Sequence, residues 1–312
     1  MRVLLTGGSG FIGYNVVSEL LKKGFQVRIY DMVYPELREG VEFYHGSLLD
    51  ATALRFAVNG CQYVMHLGAM ADVNDVVADP LYAEEINVRG TINVLDAARR
   101  NGVKRVVYAS TIWTYSDVKE EFITEETLIP PPTHLYTATK LAGEHYCRAY
   151  QQLFKLPYTI LRYGIPYGPR ARGATVIAKF VDMALAGQSI SIAGDGKQFR
   201  KFVHVTDLAR GNVLALEPAA AANQIYNLEG TEKVTIKQLA EWVKEFANPK
   251  ISVVHTPARE GDLKGAEISA AKALKDLGWK PEIEFLTGLK QVIEAKKKER
   301  KNDPVAELAA SR

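Results

Sequence analysis

The 312-residue sequence contains few cysteines, little net charge and no long hydrophobic run. Its two cysteines, Cys61 and Cys147, lie far apart and form none of the short spacings of metal-binding motifs. We therefore expect reduced thiols, no metal site and a cytoplasmic protein. The net charge of +3 is too small and too dispersed to indicate nucleic-acid binding, and the one basic run, residues 296–301, fits a solvated helix end.

Segments that target or cross a membrane are also lacking. No apolar run reaches the length of a membrane span, and the first predicted strand begins at Arg2, which leaves no room for a signal peptide. We therefore expect no membrane partner. Apolar residues make up 47% of the chain and charged residues 24%, as is typical of soluble globular proteins with one large or two modest domains.

The first dozen residues carry the strongest local pattern. A short apolar β-type run over residues 1–6 stops at a glycine-rich segment, Gly7-Gly8-Ser9-Gly10-Phe11-Ile12-Gly13, and helical periodicity follows. Glycines at these positions allow a tight turn, let backbone N–H groups approach a pyrophosphate, and let the helix pack closely on the strand. The helix N-terminus then attracts the anion. The pattern favours a dinucleotide site over an ordinary strand–helix turn.

A second predicted strand, residues 25–30, ends in Asp31. An acidic residue at this spacing accepts the hydroxyl groups of the adenosine ribose. Its charge repels the additional phosphate of NADP, so we predict NAD as the cofactor. Arg28 is close in sequence and would partly offset that repulsion if its side chain reached the same place.

Strand and helix patterns alternate through the first half of the chain. Further strand patterns occur at residues 41–45, 62–67, 104–109 and 158–163. The helical patterns cover residues 51–58 after an Asp50 N-cap, residues 80–100, and a segment from a Thr133 N-cap to about Phe154. Repeated strand–helix pairs with apolar strands predict an α/β fold whose Rossmann-type, doubly wound parallel sheet forms an NAD-binding domain over residues 1–165.

Beyond residue 165 the alternation is less regular. Shorter strand and helix patterns predict a smaller, mixed α/β substrate lobe over residues 166–300, some of whose elements return to the nucleotide sheet. Residues 301–312 form a polar tail in this prediction.

Tyr136 and Lys140 are spaced to share one face near the start of a helix. The lysine ammonium favours the phenolate and so lowers the pKa of the tyrosine. Lowering that pKa from about 10 to near 7 takes roughly 4 kcal/mol of preferential phenolate stabilisation. Such a tyrosine can take a proton from a substrate hydroxyl while hydride leaves to NAD. Alone, this spacing also fits an ordinary surface pair.

Ser110 and Thr111 follow a predicted strand whose carboxyl end would open into the ligand crevice of a parallel sheet. A hydroxyl at this point can bridge a sugar oxygen and the tyrosine. Simple strand termination is the alternative.

Together these segments resemble the extended short-chain dehydrogenase/reductase family, especially its nucleotide-sugar epimerases. The resemblance covers roughly residues 1–290 and rests on the order and spacing of several motifs. They include Thr6-Gly-Gly-Ser-Gly-Phe-Ile-Gly13, His66-Leu-Gly-Ala69, Asn87-Val-Arg-Gly-Thr91, Ser110-Thr111 with Tyr115, Tyr136-x-x-x-Lys140, Arg162-Tyr-Gly-Ile-Pro-Tyr-Gly-Pro-Arg170, Gly194-Asp-Gly196 and Arg200-Lys-Phe-Val-His-Val205.

The resemblance implies roles for residues that the patterns alone do not assign. It implies Tyr136 as the catalytic acid/base, Lys140 as its electrostatic partner and the anchor of the nicotinamide ribose, and Thr111 as the bridging hydroxyl. Further residues implied near the cofactor are Leu48, Leu67, Gly68, Ala69, Asn87 and Tyr163. Residues implied near the nucleotide diphosphate and sugar are Ile165, Val176, Arg200 and Arg259, of which the arginines suit phosphate. The resemblance also implies a homodimer through the helices near residues 80–100 and 133–154.

The sequence departs from the relatives that it resembles. Ser47 replaces an aspartate that contacts adenine, and Ile165 replaces an asparagine that contacts the sugar diphosphate. Ile112 and Trp113 follow Thr111, where dehydratases and decarboxylases of this family place acidic residues for elimination. These residues favour a reaction that needs only hydride and one proton, namely 4-epimerisation or a simple dehydrogenation.

The leading prediction is therefore an NAD-dependent 4-epimerase of a UDP-sugar, with UDP-glucose and UDP-galactose as the default pair. A UDP-glucuronate 4-epimerase is an alternative, since Arg170 or Arg172 could recognise a carboxylate. A nucleotide-sugar dehydratase, a 4-keto reductase and a non-catalytic NAD-binding sensor are further alternatives.

Overall fold

The computed structural model describes residues 1–36, 38–171, 173, 175–257 and 266–301. Its strands are β1 (Arg2–Thr6), β2 (Gln26–Asp31), β3 (Val41–His45), β4 (Tyr63–His66), β5 (Arg105–Thr111), β6 (Phe122–Ile123), β7 (Tyr158–Tyr163), β8 (Ile165–Tyr167), β9 (Ile190–Ala193), β10 (Phe199–His204), β11 (Gln224–Leu228), β12 (Lys233–Thr235), β13 (Val253–Thr256) and β14 (Glu267–Ile268). Its α-helices are α1 (Phe11–Lys22), α2 (Ala51–Val58), α3 (Val73–Ala78), α4 (Pro80–Glu84), α5 (Gly90–Arg100), α6 (Leu135–Phe154), α7 (Val176–Leu185), α8 (Val205–Leu214), α9 (Ile236–Ala247), α10 (Ala271–Leu277) and α11 (Phe285–Lys301).

The chain folds into two compact units. The first unit consists of Met1–Gly164, Thr206–Glu229 and Ala266–Lys280, and the second contains the described parts of residues 165–205, 230–265 and 281–312. Among the described residues, no helix is both long and apolar enough to cross a membrane.

The first unit is built on a seven-stranded sheet in the order β3-β2-β1-β4-β5-β7-β11. All neighbouring strands run parallel, which confirms the predicted doubly wound sheet. Strand order changes direction between β1 and β4, and such a switch point opens a ligand crevice at the carboxyl ends of the strands. Every residue of the central strands β5 and β7 is buried, because helices cover both faces of the sheet.

The second unit has smaller sheets. Strand β10 pairs with β8 in parallel and with β12 in antiparallel orientation, while β9 and β13 form a separate parallel pair. Helices α7, α9 and α11 enclose an apolar core with these strands, in which Phe180, Leu239 and Leu289 are buried. This mixed α/β architecture agrees with the predicted character of the smaller lobe, and β11 joins the large sheet from the second half of the chain.

Several local predictions need correction. Thr133 does not cap α6, because its backbone N–H and hydroxyl donate to the Asp117 carboxylate at 3.0 and 2.8 Å, and His134 takes the N-cap position. The predicted helix over residues 80–100 contains a π-helical turn at Glu85–Arg89 between α4 and α5. The Asp50 cap of α2 is confirmed by bonds from the N–H groups of Thr52 and Ala53. The predicted tail lies outside the described residues apart from Lys301.

Candidate active site

The glycine-rich segment forms a tight turn between β1 and α1. Gly7 has a φ of +72°, a left-handed conformation that suits glycine. A Cβ on Gly13 would lie 2.1 Å from the Gly7 carbonyl oxygen, so α1 starts directly against the turn. The first residues of this helix, Phe11 and Ile12, carry no charge, which leaves the positive end of the helix dipole for an anion.

Asp31 is bonded to the same turn. Its Oδ2 accepts from the Ser9 N–H at 3.0 Å and its Oδ1 from the Val33 N–H at 3.0 Å, so the half-buried carboxylate is held at the end of β2. Arg28 is 5% exposed and donates to Glu42 and to the carbonyls of Ala57 and Asn59. Its guanidinium is therefore held by groups other than Asp31, and the turn and the carboxylate together fit the pyrophosphate and ribose of NAD.

The end of β4 lies against this turn. The Gly68 N–H donates to the Thr6 hydroxyl at 3.1 Å, and a Cβ on Gly7 would lie 2.6 Å from the Gly68 nitrogen. Leu48 is buried, and its Cδ1 would lie 3.3 Å from a Cβ on Gly68. The structure thus brings Leu48 and the half-buried residues Leu67–Ala69 together with the glycine turn.

Two residues predicted near the cofactor use their side chains inside the protein. The Asn87 amide, in the π-helical turn, bonds both backbone groups of Met70 and donates to the Thr139 hydroxyl at 3.1 Å. The Tyr163 hydroxyl donates to Asn212 Oδ1 at 2.6 Å, and burial raises its pKa. Both side chains brace neighbouring segments of the first unit.

The three residues predicted to be catalytic all belong to the first unit. Thr111 ends β5, and its hydroxyl oxygen accepts from the Trp113 N–H at 3.2 Å. Tyr136 and Lys140 lie one helical turn apart at the start of α6, with the Lys140 Nζ 6.0 Å from the centroid of the Tyr136 ring. The Lys140 ammonium is 5% exposed and donates to the Ala109 carbonyl, two residues before Thr111, at 2.9 Å. Lys140 thereby ties the helix to the strand end.

Burial changes the ionisation of this region. Desolvation lowers the pKa of Lys140 to about 8, against the opposing effect of the Glu144 carboxylate. Desolvation and the Lys140 charge lower the pKa of His66 to about 3, so that imidazole is neutral and bonds the hydroxyls of Thr6 and Thr91. At neutral pH the buried cation facing Tyr136 is therefore Lys140 and not His66.

The sequence did not reveal two pairwise contacts made by residues close in the chain or in space to this trio. Glu144 and Arg162 form a buried ion pair with a distance of 2.6 Å between Arg162 Nη2 and Glu144 Oε2. The ring of Trp113, 39% exposed, packs edge-on against that of His134 at 6.3 Å between centroids. The positions of Glu144, four residues after Lys140, and of Arg162, a charge inside an apolar strand, are the signals that could have identified the ion pair.

The predicted substrate residues that can be described lie in the second unit. Ile165 begins β8, Val176 begins α7 and Arg200 lies in β10, and all three are half-buried. Arg170 has a φ of +71°, a strained conformation for a residue with a side chain. Arg259 and Arg172 lie outside the described residues.

The chain is similar to known proteins. A model described as the NAD dependent epimerase/dehydratase family matches residues 3–228. The chain is 32% identical to a protein of Methanocaldococcus jannaschii named putative UDP-glucose 4-epimerase, over 93% of this chain and 97% of that protein. Among solved structures it is similar to a UDP-glucose 4-epimerase from Thermotoga maritima with UDP-glucose, with a TM-score of 0.89, 32% identity and coverage of 96% and 99%. A UDP-glucuronic acid 4-epimerase from Bacillus cereus, in complex with UDP-glucuronic acid and NAD, is similar with a TM-score of 0.88, 27% identity and coverage of 96% and 100%.

Proposed function

The chain belongs to the NAD dependent epimerase/dehydratase family, and from that membership we propose that it interconverts the 4-epimers of a UDP-linked hexose. The observation that carries the proposal is that Lys140, one helical turn from Tyr136, donates to the Ala109 carbonyl two residues before Thr111, in the unit that also contains the glycine turn. An acid/base tyrosine, a buried cation and a hydroxyl are the protein groups that the reversible oxidation of a sugar hydroxyl needs.

NAD is the cofactor of this family. In our proposal the N–H groups of the glycine turn bind its pyrophosphate, and Asp31 accepts the hydroxyls of the adenosine ribose. Leu48 and residues 67–69 line the cofactor, and Lys140 contacts the nicotinamide ribose. When bound, NAD accepts hydride from C4 of the sugar and returns it.

Tyr136 moves the proton in this reaction. Its phenolate takes the proton of the 4-hydroxyl as hydride leaves C4, which gives a 4-ketose, and returns the proton to the oxygen when hydride is added to the opposite face of the ketose. The Lys140 ammonium favours the phenolate, which needs roughly 4 kcal/mol of stabilisation to form near neutral pH. Thr111 donates its hydroxyl to the sugar oxygen and orients it. Atoms and electrons balance, so no net oxidation occurs.

The residues after Thr111 support epimerisation over elimination. Ile112 and Trp113 carry no acid or base, whereas removal of water from the sugar would need an additional proton donor. In the second unit, Arg200 and Arg259 are proposed to bind the diphosphate, with Ile165 and Val176 beside them. The half-exposed, apolar Trp113 favours a neutral hexose.

UDP-glucuronate is the second candidate substrate. The chain is 31% identical to a UDP-glucuronate 4-epimerase of Thermodesulfobacterium geofontis. Arg170, exposed and held in a strained conformation, is the described cation proposed to bind the carboxylate.

We also propose a homodimer through the outer faces of the helices within residues 80–100 and 133–154. Apolar side chains that are exposed on these helices are Leu81, Tyr82, Leu135, Tyr146, Leu153 and Phe154. Such a surface would be covered by a second copy in a four-helix arrangement. Light scattering should give twice the 34.6 kDa of one chain, and a monomer at micromolar concentration would refute the dimer.

Proton NMR of the purified protein with UDP-glucose, and separately with UDP-glucuronate, tests the proposed reaction. No cofactor is added, and the anomeric region is followed. A galacto product from either sugar supports a 4-epimerase that retains NAD. Unchanged spectra with both sugars, from protein that releases NAD on denaturation, would contradict these substrates.

A further inference from the structure

Glu144 joins the helix of the proposed catalytic residues to the strand that ends in Thr111. It lies one turn after Lys140 on α6 and is 3% exposed. Its Oε1 accepts from the Ser110 hydroxyl at 2.6 Å and from Arg162 Nε at 2.9 Å, while Oε2 accepts from Arg162 Nη2 at 2.6 Å. Ser110 is the residue before Thr111, so this carboxylate contacts both sides of the site.

Arg162 extends the contact to the other side of Thr111. From β7, its Nη1 donates to the Tyr115 hydroxyl at 2.6 Å, and that hydroxyl donates to Asn227 Oδ1 at 3.0 Å. Tyr115 ends the 3₁₀ turn, Ile112–Tyr115, that follows Thr111. Thr111 is thus fixed through residues 110 and 115, and both are bonded to one ion pair.

A buried ion pair of this kind is weak evidence for stability, because desolvation offsets most of the attraction. The pair does impose one arrangement of the two side chains. A guanidinium that bonds both oxygens of a carboxylate fixes the distance and the angle between the two groups. Here the bonds to Glu144 hold Ser110, at the end of β5, and Arg162, in β7, against α6, the helix that carries Tyr136.

Glu144 also supplies the negative charge next to Lys140. The groups around the Lys140 ammonium are neutral His66 from β4, the Ala109 carbonyl and Tyr108 ring from β5, and Tyr136 and Glu144 from α6. The Lys140 Nζ lies 6.0 Å from the centroid of the Tyr136 ring, so the charge of one group acts on the ionisation of the other. An anion one turn from Lys140 and two turns from Tyr136 favours the state with ammonium and phenolate.

We propose that Glu144 and Arg162 are positioning residues of the active site. They hold Thr111 against α6, and the Glu144 carboxylate makes Tyr136 rather than Lys140 the first of the pair to lose its proton. This inference rests on the proposed roles of Thr111, Tyr136 and Lys140, and it does not depend on which sugar is the substrate.

The test measures Tyr136 directly, without turnover. Tyrosinate absorbance is titrated in the full-length, NAD-loaded protein and in its Tyr136→Phe variant, and the difference reports Tyr136. In the Glu144→Gln variant, the pH midpoint of Tyr136 ionisation should rise by about one unit, which is a tenfold change in the ionisation constant of Tyr136. The reason is that Lys140 then loses its proton before Tyr136 does. An unchanged midpoint would overturn the electrostatic part. This readout also separates the inference from the proposed reaction, because it survives a failure to find the substrate.

Ser110→Ala tests the positioning part and removes only one hydroxyl. It should lower kcat about tenfold at unchanged KM and NAD content, with the Tyr136 midpoint unmoved. Unchanged kcat would overturn the positioning role. Asp207→Asn is the matched control for Glu144→Gln, because Asp207 is also a buried carboxylate and pairs with Arg210 at 2.8 Å within α8. If Glu144→Gln does not fold, Arg162→Lys, which keeps the charge but loses the bidentate geometry, is measured in its place and should lower kcat as Ser110→Ala does.

Discussion

In the first unit, the proposed catalytic side chains stand on a seven-residue strand and a twenty-residue helix, and the strand is buried along its whole length. In the second unit, the proposed substrate side chains stand on shorter elements, such as the three-residue β8, and are half-buried. The first arrangement suits chemistry, which tolerates little displacement of the reacting groups. The second suits binding, where side chains adapt to the sugar and the diphosphate.

The two units therefore should respond differently to mutation. Changes in the first unit should lower kcat or remove NAD, and changes in the second should raise KM. A substitution in the first unit that only raised KM, or one in the second unit that only lowered kcat, would contradict this difference between the units.

Tyr136→Phe should have the largest effect. Removing the hydroxyl leaves the ring in place and deletes the group that carries the proton, so kcat should fall by about 10²–10⁴-fold. KM and NAD content should stay close to those of the parent in steady-state assays. Tyr150→Phe, on the same helix, is the control, and a Tyr136→Phe variant that kept most of its activity would remove the proposed mechanism.

Gly13→Ala should abolish retention of NAD. The new Cβ would lie 2.1 Å from the Gly7 carbonyl oxygen, so the turn must shift away from the pyrophosphate. NAD released on denaturation is the measurement, and affinity should fall by about 100-fold for a shift that costs about 3 kcal/mol.

Gly24→Ala is the matched control for this change. Gly24 has a positive φ, +77°, and a Cβ there meets no atom within 4 Å. It should lose about 1–2 kcal/mol of stability and keep its NAD. Equal NAD loss in both variants would show that NAD is lost through general destabilisation and not through displacement of the glycine turn.

Arg200→Ala should act on binding alone. Loss of a charge-assisted bond to phosphate is worth about 1.5–3 kcal/mol, or about 10–100-fold in KM, with little change in kcat. The exposed Lys197→Ala, in the same unit, should leave KM unchanged. A fall in kcat at constant KM would place Arg200 in the chemistry and contradict the division between the units.

The smallest effect is expected from pH. Lys140 carries its proton below a pKa of about 8 and loses it above, so the phenolate loses its partner on the alkaline side. We expect kcat to fall about twofold at that pH and about tenfold one unit above it. A kcat that stays level to pH 10 would show that the ammonium is not required.

The sequence allowed the parallel sheet to be predicted because its strands are apolar runs that alternate with helical patterns. The glycine turn and the position of Asp31 at the end of β2 could also be predicted, since both depend on local spacing. Contacts between segments that are distant in the sequence could not be predicted. The bond from Thr133 to Asp117 replaces the predicted cap, and nothing in the pattern of residues 80–100 indicates the π-helical turn.

In the candidate site too, features set by local spacing could be predicted and features set by the folded structure could not. The i, i+4 spacing of Tyr136 and Lys140 can be read from the sequence, but the burial that lowers the pKa of Lys140 to about 8 needs the folded environment. The Glu144–Arg162 pair joins α6 to β7, and its partner Ser110 lies 34 residues before Glu144. Periodicity cannot show which charges of an apolar segment face each other.

The most direct test of the account follows one hydrogen atom. UDP-glucose carrying deuterium at C4 is incubated in ordinary water with the purified protein, and the products are analysed by NMR and mass spectrometry. Epimerisation by hydride removal and return predicts UDP-galactose that keeps the deuterium at C4. Deuterium at C6 of a 4-keto-6-deoxy product would identify a dehydratase, deuterium lost to released NADH would identify a dehydrogenase, and either result would contradict the account.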